Sequence, residues 1–224
     1  MQRRQLILIP ALALWAPLSG AALNEGEAAT GIRAALERGA VAAIGALGKP
    51  DGFMGNPAVR IELPGFLKDA ARLLRATGQG RRVDELLTAM NRAAEAAVPA
   101  AKPLLVAAVR NMSVEDGWRI LKGGEDAATR FFADKTREPL TRQFLPIVTQ
   151  ATERVSLAEK YNAVAGQAAG FGLLKKEDAN IQQYVTARAL DGLFLLIAEE
   201  ERKIRKDPLG TGSAILKKVF GGLG

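Results

Sequence analysis

Ala189-Leu190-Asp191-Gly192-Leu193-Phe194-Leu195-Leu196-Ile197-Ala198 decides how the rest of the chain is read. Eight of its ten residues are apolar, and it sits in a proline-free stretch from Asp178 to Lys206. A helix that is apolar on every side belongs in the middle of a bundle. The segment is therefore predicted to be the central helix of an all-α fold, a single-domain multi-helix bundle.

The flanking sequence supplies helices to pack around it. Asn24 with Glu27 three residues on is an N-terminal capping pattern. Ile32, Leu36, Ala40, Ala43, Ile44 and Leu47 then recur at spacings of three and four until Gly48 and Pro50, predicting a helix over Glu25 to Leu47. Lys49 to Pro64 is a connection with three prolines, and its Val59-Arg60-Ile61-Glu62-Leu63 alternates with period two, so a short extended segment is expected there. Pro64 opens a helix to about Thr77, and Gly78-Gln79-Gly80 makes a turn. Val83 to Val98 carries a narrow apolar stripe, which Pro99 and Pro103 break or kink before Leu104 to Val109 continues it. Ser113 and Asp116 cap a further helix that ends at Gly123-Gly124, and two helices are expected over Asp126 to Lys135 and Glu138 to Val155. Ser156 with Glu159 suggests a shorter one, Ala165 to Gly172 a loop, and Ile215, Leu216, Val219 and Phe220 a closing amphipathic turn.

Residues 1–22 do not fit this pattern. Arg3 and Arg4 precede an apolar run from Leu6 to Leu18, and Ser19-Gly20-Ala21-Ala22 offers small residues for cleavage, the layout of a signal peptide. The run is too short to span a bilayer. The expected products are a mature domain over 23–224 and a periplasmic or secreted location, with Arg3-Arg4-Gln5-Leu6-Ile7 also compatible with the twin-arginine route.

The 224 residues contain no histidine and no cysteine. Disulfides, thiolate or imidazole metal sites, and histidine-based catalysis are thereby excluded. No cofactor and no metal are expected. Carboxylates, lysine, tyrosine, hydroxyls and oxygen-ligated cations are what chemistry remains. The net charge of +7 falls to +5 once Arg3 and Arg4 are removed. Acidic and basic residues alternate along most of the chain, so no nucleic-acid partner and no stable membrane anchor after cleavage are expected.

Several polar residues invite a site. Glu199-Glu200-Glu201 reads as a solvated face, with Glu199 to Lys203 and Glu201 to Arg205 spaced for i,i+4 pairs. Asp191 interrupts the most apolar segment, with Arg188 one turn earlier to neutralise it. On the Val83 to Val98 helix, Asn91 borders the stripe while Arg92 points away and pairs with Glu95 as a surface pair. Gly78-Gln79-Gly80-Arg81-Arg82 lacks the spacing of a phosphate loop and reads as a turn followed by surface arginines. Phe53 and Met54 sit on the proline-rich connection, to be tucked into the core or closed over an apolar pocket. The candidate ligand or partner contacts are thus Phe53, Met54, Asn91, Arg92, Glu95, Asp191, Glu201 and Arg205.

Gly52-Phe53, Asn56-Pro57-Ala58-Val59-Arg60-Ile61, Asn91-Arg92-Ala93-Ala94-Glu95, Asp126-Ala127-Ala128-Thr129, Pro146-Ile147-Val148, Tyr184-Val185 and Ala189 to Phe194, in this order, resemble the bacterial domain-of-unknown-function family 4197. The resemblance runs from about Glu27 to Phe220. It implies an exported protein of Gram-negative bacteria and supplies no activity, cofactor or catalytic residues. Asp116-Gly117-Trp118 departs from the family pattern and is expected to weaken the start of its helix.

Two functions follow as expectations. One is a non-enzymatic binding or interaction protein for an apolar small molecule or an envelope protein. The other is a carboxylate-based, cation-assisted hydrolase or lyase using Glu95, Asp191 and Glu201, which requires at least two of them in one cleft.

Overall fold

The computed structural model of the chain describes residues 25–153, 158–159, 161–162 and 180–207. The expected signal peptide, the expected caps at Asn24 and Ser156, the expected loop at Ala165 to Gly172 and the expected turn at Ile215 to Phe220 lie outside them.

The fold is all-α, and among the described residues there is no strand. In chain order the helices are α1 (Glu25–Leu47), α2 (Lys68–Ala76), α3 (Gly80–Ala97), α4 (Ala101–Arg110), α5 (Val114–Lys122), α6 (Ala127–Thr152) and α7 (Ile181–Lys206). Single 3-10 turns precede α2 and join α3 to α4. Helix α7 packs against α6, α1 and α3 and is the centre of the bundle, as its composition requires. Its start is fixed by Asn180, whose side chain accepts a hydrogen bond from the Gln183 N–H at 2.7 Å. Val185, Ala189, Leu193 and Ile197 are buried at intervals of four along one face.

Proline acts differently at each place where it interrupts a helix. Between α3 and α4, Pro99 sits in the 3-10 corner, but Pro103 falls in the first turn of α4, where its missing N–H has no helical partner to lose. The two helices expected over Asp126 to Lys135 and Glu138 to Val155 are one helix, α6, which runs through Pro139 and Pro146. Ala128, Phe132, Thr136, Leu140, Phe144, Val148 and Thr152 recur every fourth residue and are all buried. Packing of that stripe on α7 outweighs two lost backbone hydrogen bonds. The prolines lie off the stripe, and Lys135 and Arg142, whose carbonyls they free, are at exposed positions where water reaches them.

The start of α5 is intact. Ser113 Oγ accepts from the Asp116 N–H at 3.0 Å, and the Ser113 N–H donates to Asp116 Oδ2 at 3.2 Å, a complete capping box. Gly117 does not loosen this helix as expected. It lies where α5 meets α1, and a Cβ there would meet Met112 and Ile32 at ordinary contact distances of 3.5 and 3.6 Å, so the packing does not demand glycine.

The connection from Gly48 to Pro64 is not a strand, yet its period two survives as burial: Val59, Ile61 and Leu63 face inward, Arg60 and Glu62 outward. Phe53 is fully buried and lies against Gly192 of α7, where a Cβ would come within 2.8 Å of Phe53 Cε1 and 3.2 Å of Val59 Cβ. The glycine in the apolar core segment is thus the seat of the connection.

Gly192→Ala is expected to destabilise the protein by about 1–3 kcal/mol through overpacking. Gly45→Ala, in α1 with open space around it, is expected to stabilise by roughly 0.5–1 kcal/mol through helix propensity. Urea unfolding of both variants measures this, and a gain for Gly192→Ala would contradict the packing. The capping box adds a pH dependence. The Ser113 hydroxyl, then its N–H, hold the Asp116 carboxyl below the usual carboxylate range. The stabilisation is therefore complete above about pH 4 and is lost as pH falls through the lower folded value. Ser113→Ala is expected to cost about 1 kcal/mol at neutral pH, and its penalty should shrink in acid when the two melting curves are compared.

Candidate functional site

The eight candidate residues fall into three groups rather than one site. The first is built on α3. Val83, Leu87, Asn91 and Glu95 are all buried at intervals of four, so the two polar residues continue the apolar stripe. Asn91 is fully buried and acts as a peptide group: the Ile61 N–H donates to its Oδ1 at 2.9 Å, and its Nδ2 donates to the Ile61 carbonyl at 3.0 Å. Glu95 Oε1 accepts from the N–H groups of Phe53 and Met54, both at 3.1 Å. Arg92 spans Glu95 Oε2 at 2.6 Å and Asp51 Oδ1 at 2.8 Å, and these two carboxylates, Glu95 foremost, raise its guanidinium above the ordinary value. Asp51 itself has a positive φ of 64°. The Arg92–Glu95 pair therefore exists, but it is not the surface pair expected: the carboxylate is buried and holds the connection that carries Phe53.

Glu201 and Arg205 form the second group. Glu201 continues the buried α7 face four residues after Ile197. Its Oε1 accepts from the Ala128 N–H at 3.0 Å and its Oε2 from the Thr129 N–H at 2.9 Å and the Thr129 hydroxyl at 3.0 Å. Asp126, the residue in the cap position of α6, makes no side-chain cap bond. A carboxylate from another helix supplies the cap instead. Arg205 bonds Glu201 Oε1 at 2.8 Å and the Ile120 carbonyl near the end of α5 at 2.8 Å. The solvated face expected for the acidic triplet is corrected for Glu201. Lys203 pairs with Glu200 at 2.6 Å rather than with Glu199.

Asp191 stands apart from both groups. Its carboxylate is half exposed and shared by Arg188, as expected, at 3.3 Å and by Arg137 of α6 at 3.0 Å. The Arg137 guanidinium lies 5.0 Å from the Phe194 ring centre and that of Arg188 lies 5.5 Å from the Tyr184 ring centre. Glu95, Asp191 and Glu201 share no hydrogen-bond or ion-pair partner with one another. Among the described residues no group of three or more carboxylates is placed to hold an ion.

One of the groups borders open space. An apolar cleft with a void of about 30 Å3 lies among α1, α5, α6 and α7, walled by Ile32, Leu36, Phe132, Ile197 and Ile204, with Glu201 and Arg205 at its edge. Gly39 and Ile204 also line a wider groove of about 640 Å3, whose other walls are Arg38, Glu200, Lys203, Lys206 and Asp207. Ile32 and Leu36 belong to the apolar periodicity of α1 in the sequence, and nothing in their spacing distinguishes a cleft wall from a packed core.

Glu201→Ala is expected to cost roughly 3 kcal/mol, because two backbone N–H groups and a part-buried guanidinium lose their acceptor together. Glu201→Gln keeps one acceptor oxygen and should cost less, and Glu199→Ala should stay within about 0.5 kcal/mol. Chemical denaturation of the three variants ranks them, and equal effects at 199 and 201 would refute the buried cap.

None of the described helices is long and apolar enough to cross a membrane. No curated protein matches the chain. No solved structure matches it either. The sequence profile of one family, described as a protein of unknown function (DUF4197), matches residues 22–221. That match covers nearly every residue after position 21, including α1 to α7 and both buried glutamate clamps. The chain therefore belongs to the DUF4197 family.

Proposed function

We propose that the protein is exported and works without chemistry, as a periplasmic or secreted helical protein that binds an apolar ligand. The observation that carries this reading is the cleft among α1, α5, α6 and α7, which shares the wall residues Gly39 and Ile204 with the wider groove. The two parts match a ligand with a polar body and a small apolar tip, about one methyl-sized group entering between Ile32, Leu36 and Ile204 and the polar body lying along Lys203, Lys206 and Glu200. Apolar walls with a few convergent polar groups are the usual composition of a small-molecule site.

The hydrolase or lyase reading needs paired carboxylates, and the three candidates are engaged separately. Glu95 and Glu201 spend their oxygens on backbone N–H groups and arginines, which leaves neither placed as a base. Export rests on the Arg3-Arg4 start, the apolar run and the small residues before Leu23.

Native mass spectrometry of the gently purified protein tests both parts. The intact mass should begin at Ala22 or Leu23, and a lipid-like or other apolar adduct should accompany it. Gly39→Ala, whose added Cβ meets Glu200 and Ile204 at 3.6 and 3.7 Å, should keep the adduct. Gly39→Leu fills the junction and should lose it. An adduct-free wild type, or equal retention by Gly39→Leu, refutes binding in this cleft.

A further inference from the structure

The positive charge of the chain is less scattered than its alternation suggests. From Lys68 to Arg82 there are five cations, Lys68, Arg72, Arg75, Arg81 and Arg82, against the single carboxylate of Asp69. Beside a balance of +5 for everything after residue 22, these fifteen residues hold four of the net charges. The next carboxylates, Asp84 and Glu85, pair with Arg75 at 2.6 Å and Arg81 at 2.9 Å on exposed side chains. They reduce the local excess without reversing it.

This segment is α2, the turn at Gly78 and the first residues of α3, a corner of the bundle. Helix α2 packs chiefly on α3 and on its own leading turn, turning Ala71 and part of Leu74 inward. At about 100° per residue, the positions of Asp69, Arg72 and Leu73 fall on the opposite half. Leu73 keeps 66% of its surface exposed, whereas Val41, Val114 and Leu195 keep 38–41%. An exposed leucine on a peripheral helix, next in sequence to an exposed arginine, brings together an apolar and a cationic group, the two elements that interfacial segments use.

We propose that this corner docks reversibly on an anionic lipid surface, with Leu73 entering the headgroup region and Arg72, Arg81 and Arg82 facing the lipid phosphates. Charge complementarity alone would also suit a nucleic acid. A phosphodiester backbone, however, offers Leu73 nothing apolar to enter, and a bilayer uses both features. One leucine and a small net charge give weak attachment, so the association is peripheral and salt-sensitive.

Cosedimentation with vesicles tests it, using phosphatidylcholine alone and phosphatidylcholine containing about one third phosphatidylglycerol, with every variant in the same processed form. The wild type should sediment with the anionic vesicles only. Leu73→Ser and the double variant Arg81→Glu with Arg82→Glu should each lower the bound fraction about fivefold or more. Their melting temperatures should match the wild type, since all three side chains are exposed. Absence of vesicle binding, equal binding to neutral vesicles, or variants bound like the wild type would each overturn the proposal. So would binding to a DNA duplex that Leu73→Ser leaves unchanged.

Discussion

A backbone N–H buried without an acceptor costs on the order of 1–3 kcal/mol, and at two places among the described residues a buried glutamate supplies the acceptor that regular helix cannot. One is the connection that carries Phe53 onto α7; the other is the first turn of α6, packed under the end of α7. In both, a glutamate on a neighbouring helix accepts two consecutive N–H groups while an arginine on its own helix, three or four residues away, balances the charge. The repetition fits a chain without cysteine or histidine. With neither a disulfide nor a thiolate- or imidazole-held metal available as a cross-link, distant segments are tied by charge-assisted hydrogen bonds, and these work only where the acceptor is already buried and aimed.

The ties also explain why the connection from Gly48 to Pro64 holds its shape without a sheet partner. Phe53 is anchored from one side by Glu95 through its N–H and from the other by the flat surface that Gly192 leaves on α7. Asn91 then pairs with Ile61 as a neighbouring strand residue would. Each contact depends on the others, because Phe53 reaches Gly192 only if its backbone is held by Glu95. Perturbing one is therefore expected to act through the whole connection rather than locally.

The extent of α1, the cap of α5 and the central place of α7 were legible in the sequence, since periodicity and capping residues agreed at each. The single helix α6 was not, because Pro139 and Pro146 are strong local signals for a break. The four-residue spacing from Ala128 to Thr152 was visible all along and is the signal that tertiary packing enforces. The same spacing would have placed Glu95 after Val83, Leu87 and Asn91, and Glu201 after Ala189, Leu193 and Ile197. Both were instead explained by an arginine three or four residues away. That explanation is correct for the pair and blind to burial: an i,i+4 partner shows that a carboxylate has a counter-charge and says nothing about which face it occupies. Arg137, the second partner of Asp191, lies 54 residues away, a distance that no local rule reaches. The cleft was equally hidden, as its walls have the composition of a core.

The glutamate ties bear on where a ligand could act. Glu201 closes the α6 end of the apolar cleft and spends both oxygens doing so, so a ligand there meets a wall whose polar groups are already paired. Such a wall favours an apolar group over a charged one, because a charged group would have to displace existing hydrogen bonds to be solvated. Polar recognition is left to the outer groove, where Lys203 and Glu200 are more exposed than the Glu201–Arg205 pair. No residue lining the cleft belongs to α2 or α3, and the basic corner belongs to these two alone. The proposed surface contact and the proposed occupation of the cleft would thus rest on separate helices, so that one could change while the other is kept.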